Sequence, residues 1–161
     1  MARKKTKFLV IHCSATPEGR EVTEADIRRW HLSPKPQGRG WKQVGYTDLF
    51  HLDGSVTRLA DNNDDGYVDS WEITNGAVGI NSVSRHIVYA GGIDSVTKKP
   101  KDTRTDEQKR SLEVYVKEFI YNNPDILVAG HYHFSNKACP SFDVENWLEY
   151  IGIPEENIFR G

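Results

Sequence analysis

The sequence predicts one α/β domain, a single β-sheet covered by helices on both sides. Three observations carry this: strand-length apolar runs are interleaved with helical patterns, the 161 residues fit one domain, and no segment repeats. A chain of this length buries a sizeable core without disulfide staples. Hydrophobic residues make up 37% and charged residues 27%, with 21 basic against 23 acidic side chains for a net charge of −2. That balance argues against a nucleic-acid partner, because neutralising phosphates takes a basic excess. No apolar run approaches the length of a bilayer span, so no stable membrane association is expected. Arg3-Lys4-Lys5-Thr6-Lys7 looks like the start of a signal peptide, but Phe8-Leu9-Val10-Ile11 is too short a hydrophobic region and His12 interrupts it. The expectation is a monomer made in the cytoplasm without an export signal, with residues 1–6 a flexible basic arm and residues 7–161 the folded domain.

Residues 7–13 read as the first strand, with Phe8, Val10 and His12 on one face and Leu9, Ile11 and Cys13 on the other. Both faces are largely apolar, which marks a central, buried strand. His12 and Cys13, pointing opposite ways, do not readily ligate one ion. Thr23-x-x-Asp26 starts a helix with Ile27 and Trp30 on one stripe, and Ser33-Pro34 through Gly40 ends it. Residues 46–52 and 55–60 form a hairpin around Asp53-Gly54. A long polar segment runs from Asp61 to about Ser84, and residues 85–90 form another strand that Gly91-Gly92 stops. After a polar loop, Thr105-x-x-Gln108 caps the main helix, whose Leu112, Tyr115, Val116, Phe119 and Ile120 make one apolar face before Pro124 closes it. Residues 126–129 are a short buried strand, and a last helix lies around residues 143–150.

The chemistry concentrates in Gly130-His131-Tyr132-His133-Phe134-Ser135-Asn136-Lys137-Ala138-Cys139-Pro140. His131 sits just past the end of a buried strand, where the loops of such sheets carry function. Cys139 follows a loop long enough to fold back. With His12 these two residues make a His2Cys set with an open fourth position, which suits zinc. Each alone also has an ordinary reading, the cysteine as a small core residue and the histidines as hydrogen-bonded groups, and spacing does not choose.

Four blocks occur in order: Ile11-His12-Cys13-Ser14-Ala15-Thr16, Ile27-x-x-Trp30-His31, Gly40-Trp41-x-x-Val44-Gly45-Tyr46, and Lys137-Ala138-Cys139-Pro140-Ser141-Phe142-Asp143. Together they resemble the zinc-dependent N-acetylmuramoyl-L-alanine amidases of the phage lysozyme and peptidoglycan-recognition-protein superfamily, over residues 7 to 148. The resemblance implies a mixed β-sheet flanked by helices. It also implies zinc ligands at His12, His131 and Cys139, catalytic residues at Tyr46 and Lys137, and a substrate-groove residue at Asn81 in Gly79-Ile80-Asn81. The implied reaction is hydrolysis of the amide between the lactyl group of N-acetylmuramic acid and L-alanine, by a phage or prophage endolysin that reaches the wall through a holin-type lesion. The chain departs from the family pattern in three places. Thr47-Asp48 follows the tyrosine where a histidine is usual, Gly76 stands where a second groove histidine is usual, and Ser84-Arg85-His86 replaces a Ser-Ile-Gly strand. Two alternatives remain: a cytosolic amidase that recycles muropeptides, and a peptidoglycan-binding module without catalysis.

Residues 61–72 carry a second metal signal. Asp61, Asn63, Asp65, the Tyr67 carbonyl, Asp69 and Glu72 match the ligand positions of a twelve-residue calcium loop, with Gly66 at the turn. A strand rather than a helix precedes the loop, so a run of Asx turns bordering the groove is the competing reading.

Overall fold

The computed structural model describes residues 3–161; Met1 and Ala2 of the expected arm lie outside them. Lys4–Lys5 (β1) pair antiparallel with Tyr67–Val68 (here β6), so the rest of that arm is laid against the long polar segment. Between them in the chain come Phe8–Cys13 (β2), Thr16–Pro17 (β3), helix Glu24–Leu32 (α1), Asp48–Phe50 (β4) and Val56–Arg58 (β5). After β6 follow Ser84–Tyr89 (β7), Gly92–Ile93 (β8), helix Asp106–Asn122 (α2), Leu127–Gly130 (β9) and helix Val144–Tyr150 (α3).

The main sheet has the order β5-β4-β7-β2-β9, parallel except for the β4–β5 hairpin, and is therefore mixed. β2 is central and every one of its residues is buried, as its two apolar faces require. Leu9, Ile11 and Cys13 face a core closed by α2 and α3 through Leu112, Val116, Val144 and Leu148. The other sheet face meets α1 through Leu49, Val88 and Ile27. Burying each of these aliphatic side chains contributes about 1.5–3 kcal/mol. Helices thus cover both faces of one domain.

Both predicted capping boxes form. The Thr23 hydroxyl accepts from Asp26 N–H while the Asp26 carboxylate accepts from Thr23 N–H, and Thr105 and Gln108 repeat the exchange. Such caps are worth about 1 kcal/mol each and fix where the helices begin.

Candidate metal centre

Register brings the ligands together. In the β2–β9 pairing Ile11 lies opposite Gly130, so His131, the next residue, emerges beside His12. Their rings stand 4.6 Å apart. A single 3-10 turn, His131–His133, redirects the chain after β9. The loop then folds back: Tyr132 N–H donates to the Cys139 carbonyl (2.9 Å), and the Tyr89 hydroxyl donates to the Pro140 carbonyl (2.6 Å). Among the described residues, His12, His131 and Cys139 form the convergent group of His, Cys, Asp or Glu ligand atoms, all within 4.8 Å of one another.

The donor set fits zinc. His12 Nδ1 lies 3.8 Å from Cys139 Sγ, close to the edge of about 3.5 Å expected between nitrogen and sulfur ligands of a tetrahedral zinc. The imidazoles are held neutral, as ligation requires. Burial drives His12 well below its ordinary pKa, helped by the charges of His86, His131 and Lys137, and burial followed by Lys137 lowers His131. The neighbouring Cys13 thiol and then burial push the Cys139 thiol up, so loading a metal there would release its proton. Cys13 itself stays on the opposite sheet face, but its backbone N–H donates to Cys139 Sγ (3.2 Å).

The structure brings Tyr46 to the centre, its ring 5.0 Å from that of His12. Tyr46 is braced by His31, which packs against it at 5.2 Å and accepts from Gly45 N–H through Nδ1 (2.9 Å). His31 therefore has a structural hydrogen-bonding role. Burial raises the Tyr46 phenol above its usual range. Lys137 is exposed on the loop between the two ligands and forms no salt bridge among the described residues. His133 points away, its Nδ1 accepting from Gly130 N–H (3.0 Å) and its Nε2 lying 3.3 Å from Glu145. Asn81 turns its side-chain oxygen inward, where it accepts from Ala77 N–H and from His86 Nε2, each at 2.9 Å. The sequence pattern does not decide which face of its strand His86 takes. His86 is fully buried on the His12 face of β7, with Nδ1 2.9 Å from His12 Nε2, and burial lowers its pKa to about 3.

The calcium loop is not supported. Glu72, expected as the bidentate ligand, is buried with both carboxylate oxygens accepting backbone N–H groups, from Asn63 (2.8 Å) and Asp69 (2.9 Å). Asn62, Asn63 and Asp65 each close an Asx turn, and Asp65 also pairs with Arg3. Asp64 sits between Arg58 and Arg85. A 3-10 turn, Ser70–Glu72, begins where an EF-hand would begin its second helix, and strand β5 precedes the loop. Glu72, Asn63 and Asp65 spend their oxygens on this chain's own donors, and among the described residues no acidic group of the loop, Asp61 and Asp69 included, belongs to a convergent cluster, which is the Asx-turn reading.

No protein-family model matches the chain. The endolysin of Enterobacteria phage K11 is 31% identical over 147 residues, 91% of this chain and 88% of that protein. The endolysin of Escherichia phage T7 is 30% identical with the same coverage. Among solved structures, the N-acetylmuramoyl-L-alanine amidase LysC from Clostridium intestinale URNW shares the fold at a TM-score of 0.69, with 18% identity over 94% of this chain and 88% of that one.

Proposed function

The chain belongs to the phage endolysins, and on that premise we propose that it is a zinc-dependent N-acetylmuramoyl-L-alanine amidase that cuts the lactyl–L-alanine amide of peptidoglycan. One observation carries the reading: two neutral imidazoles and a thiol converge at the end of the central strands, beside a tyrosine. His12 through Nδ1, His131 and Cys139 would hold the metal. Zinc, when bound, supplies Lewis acidity toward the amide carbonyl and lowers the pKa of water toward ~7. No helical His-Glu-x-x-His arrangement is present to provide a carboxylate base.

The remaining work falls to Lys137 and Tyr46. The Lys137 ammonium, which has no salt-bridge partner among the described residues, would stabilise the negative charge that develops on the amide oxygen. The Tyr46 phenol, neutral at pH 7, orients the attacking water by a hydrogen bond and passes a proton toward the leaving amine. Two neutral imidazoles and one thiolate would leave a bound divalent ion with net positive charge, which would favour both roles. The substrate is the wall, and no helix among the described residues is long and apolar enough to cross a membrane.

The test combines metal analysis of the purified protein with mass spectrometry of digested peptidoglycan. One zinc per chain and free stem peptides beginning at L-alanine are expected. Zinc without released peptides would make the protein a wall-binding module. Release from soluble muropeptides but not from intact wall would make it a recycling enzyme. No zinc after reconstitution would overturn the site.

A further inference from the structure

The metal-ligating histidine does not stand alone: it heads a buried hydrogen-bond chain, His12–His86–Asn81, beneath the centre. Its directions can be read from one end. Ala77 N–H can only donate, so the Asn81 atom it meets at 2.9 Å is the carbonyl oxygen. His86 Nε2, at 2.9 Å from that same oxygen, must therefore carry the proton. A neutral His86 then offers a lone pair at Nδ1, and His12 Nε2, 2.9 Å away, must donate to it. That leaves His12 Nδ1 unprotonated on the side of Cys139 Sγ, 3.8 Å away.

We propose that His86 is a positioning residue, relaying the Asn81 carbonyl to His12 so that His12 is locked as the Nε2–H tautomer with its Nδ1 lone pair committed to the metal centre. The tautomer is a property of the metal-free chain; only its consequence for zinc rests on the reading above. Metal-ligating histidines commonly donate their second N–H to a carboxylate or backbone carbonyl. Here the acceptor is a neutral imidazole, which fixes the ring without adding negative charge beneath the ion.

Packing makes the arrangement specific. In the parallel pairing Val10 lies opposite His86 and His12 opposite Val88, so the two histidines meet diagonally on one face. Room for the His86 ring comes from Gly76, where a Cβ would overlap it. Gly76 and His86 are two of the positions at which the chain departs from the pattern it resembles. In space they are one unit: the absent side chain at 76 is the space His86 fills.

Long-range proton–nitrogen correlation on the metal-free protein reads the tautomer directly, and competition with a chromophoric chelator reads zinc affinity. The wild type should show His12 protonated at Nε2 alone. His86→Ala should mix the tautomers and weaken zinc binding about 10- to 100-fold, and Asn81→Leu should act in the same direction. His86→Gln, whose carboxamide can accept from His12 and donate to Asn81, should recover much of the loss; if His86→Ala fails to fold, this variant and Asn81→Leu carry the comparison. His12 protonated at Nδ1 in the wild type, or zinc held by both His86→Ala and Asn81→Leu as tightly as by the wild type, overturns the proposal. A wild type that binds no zinc sinks the zinc reading, and the tautomer then decides the relay by itself.

Discussion

Two loops of this protein are written in the vocabulary of metal ligands, and they end in opposite states. The loop from His131 to Cys139 spends its backbone groups on its own folding, with Tyr132 N–H on the Cys139 carbonyl and Ser141 N–H on the Ala138 carbonyl. Its ligand atoms are thereby left to converge with His12. The loop from Asp61 to Glu72 does the reverse, spending its side-chain oxygens on backbone N–H groups and on Arg3, Arg58 and Arg85. The difference is whether the donor atoms are already satisfied when the chain has folded. Residue spacing records which groups are present; only the fold records which remain free.

Changes in the first loop should break function without breaking the fold. Cys139→Ser should lose zinc and lower turnover by more than the roughly 100-fold that outer-shell changes cost, with little change in the unfolding midpoint of the metal-free chain. Retained zinc stoichiometry in that variant would remove Cys139 from the ligand set. Lys137→Ala should keep its zinc while turnover on peptidoglycan falls about 100- to 1000-fold, the scale of losing one group that stabilises a developing oxyanion. Undiminished turnover would make Lys137 an ordinary surface lysine.

Adjacent residues of β7 carry the same contrast onto one strand. His86 faces the metal side, and Arg85 faces α2. Buried Arg85 donates to the Tyr115 hydroxyl (2.8 Å), the Asn62 side chain (2.7 Å) and Asp64 (2.7 Å), tying the polar loop to the helix. Arg85→Ala should cost about 2–3 kcal/mol in urea unfolding, limited because Asp64 can turn to water and Asp48 keeps Arg58 at 2.7 Å. Zinc affinity should not move. A zinc defect in that variant as large as in His86→Ala would mean that the two sheet faces are coupled.

Much of this was legible beforehand because it is local. The capping boxes at Thr23 and Thr105, the Asp53-Gly54 turn and the apolar face of α2 are set by residues within a few positions of one another. The candidate set His12, His131 and Cys139 became legible through resemblance, since His12 lies over 100 residues from the other two. His86 was not legible, because its face depends on the pairing of β7 with β2, and its space on a glycine ten residues upstream that signals nothing by itself. The departures at Gly76 and His86 were both visible, but their compensation is a fact of three-dimensional contact. The calcium pattern misled for the complementary reason: every position matched, and none of the matches says what its oxygen already holds.

The smallest expected effect tests that last point most directly. Glu72 closes the polar loop by accepting from Asn63 and Asp69, so Glu72→Gln leaves one N–H facing an amide that cannot accept from it. The cost should be about 1–2 kcal/mol of stability, seen as a modest fall in the thermal midpoint, with zinc content unchanged. Adding calcium discriminates the two readings. A ligand at a hundredfold its Kd stabilises by about 2.7 kcal/mol, so a functioning calcium loop would raise the wild-type midpoint clearly and Glu72→Gln would abolish the rise. With the oxygens of Glu72, Asn63 and Asp65 already satisfied, the midpoint should be the same with and without calcium in both proteins. A calcium-dependent rise confined to the wild type would show that the loop rearranges to bind, and would make the two loops alike after all.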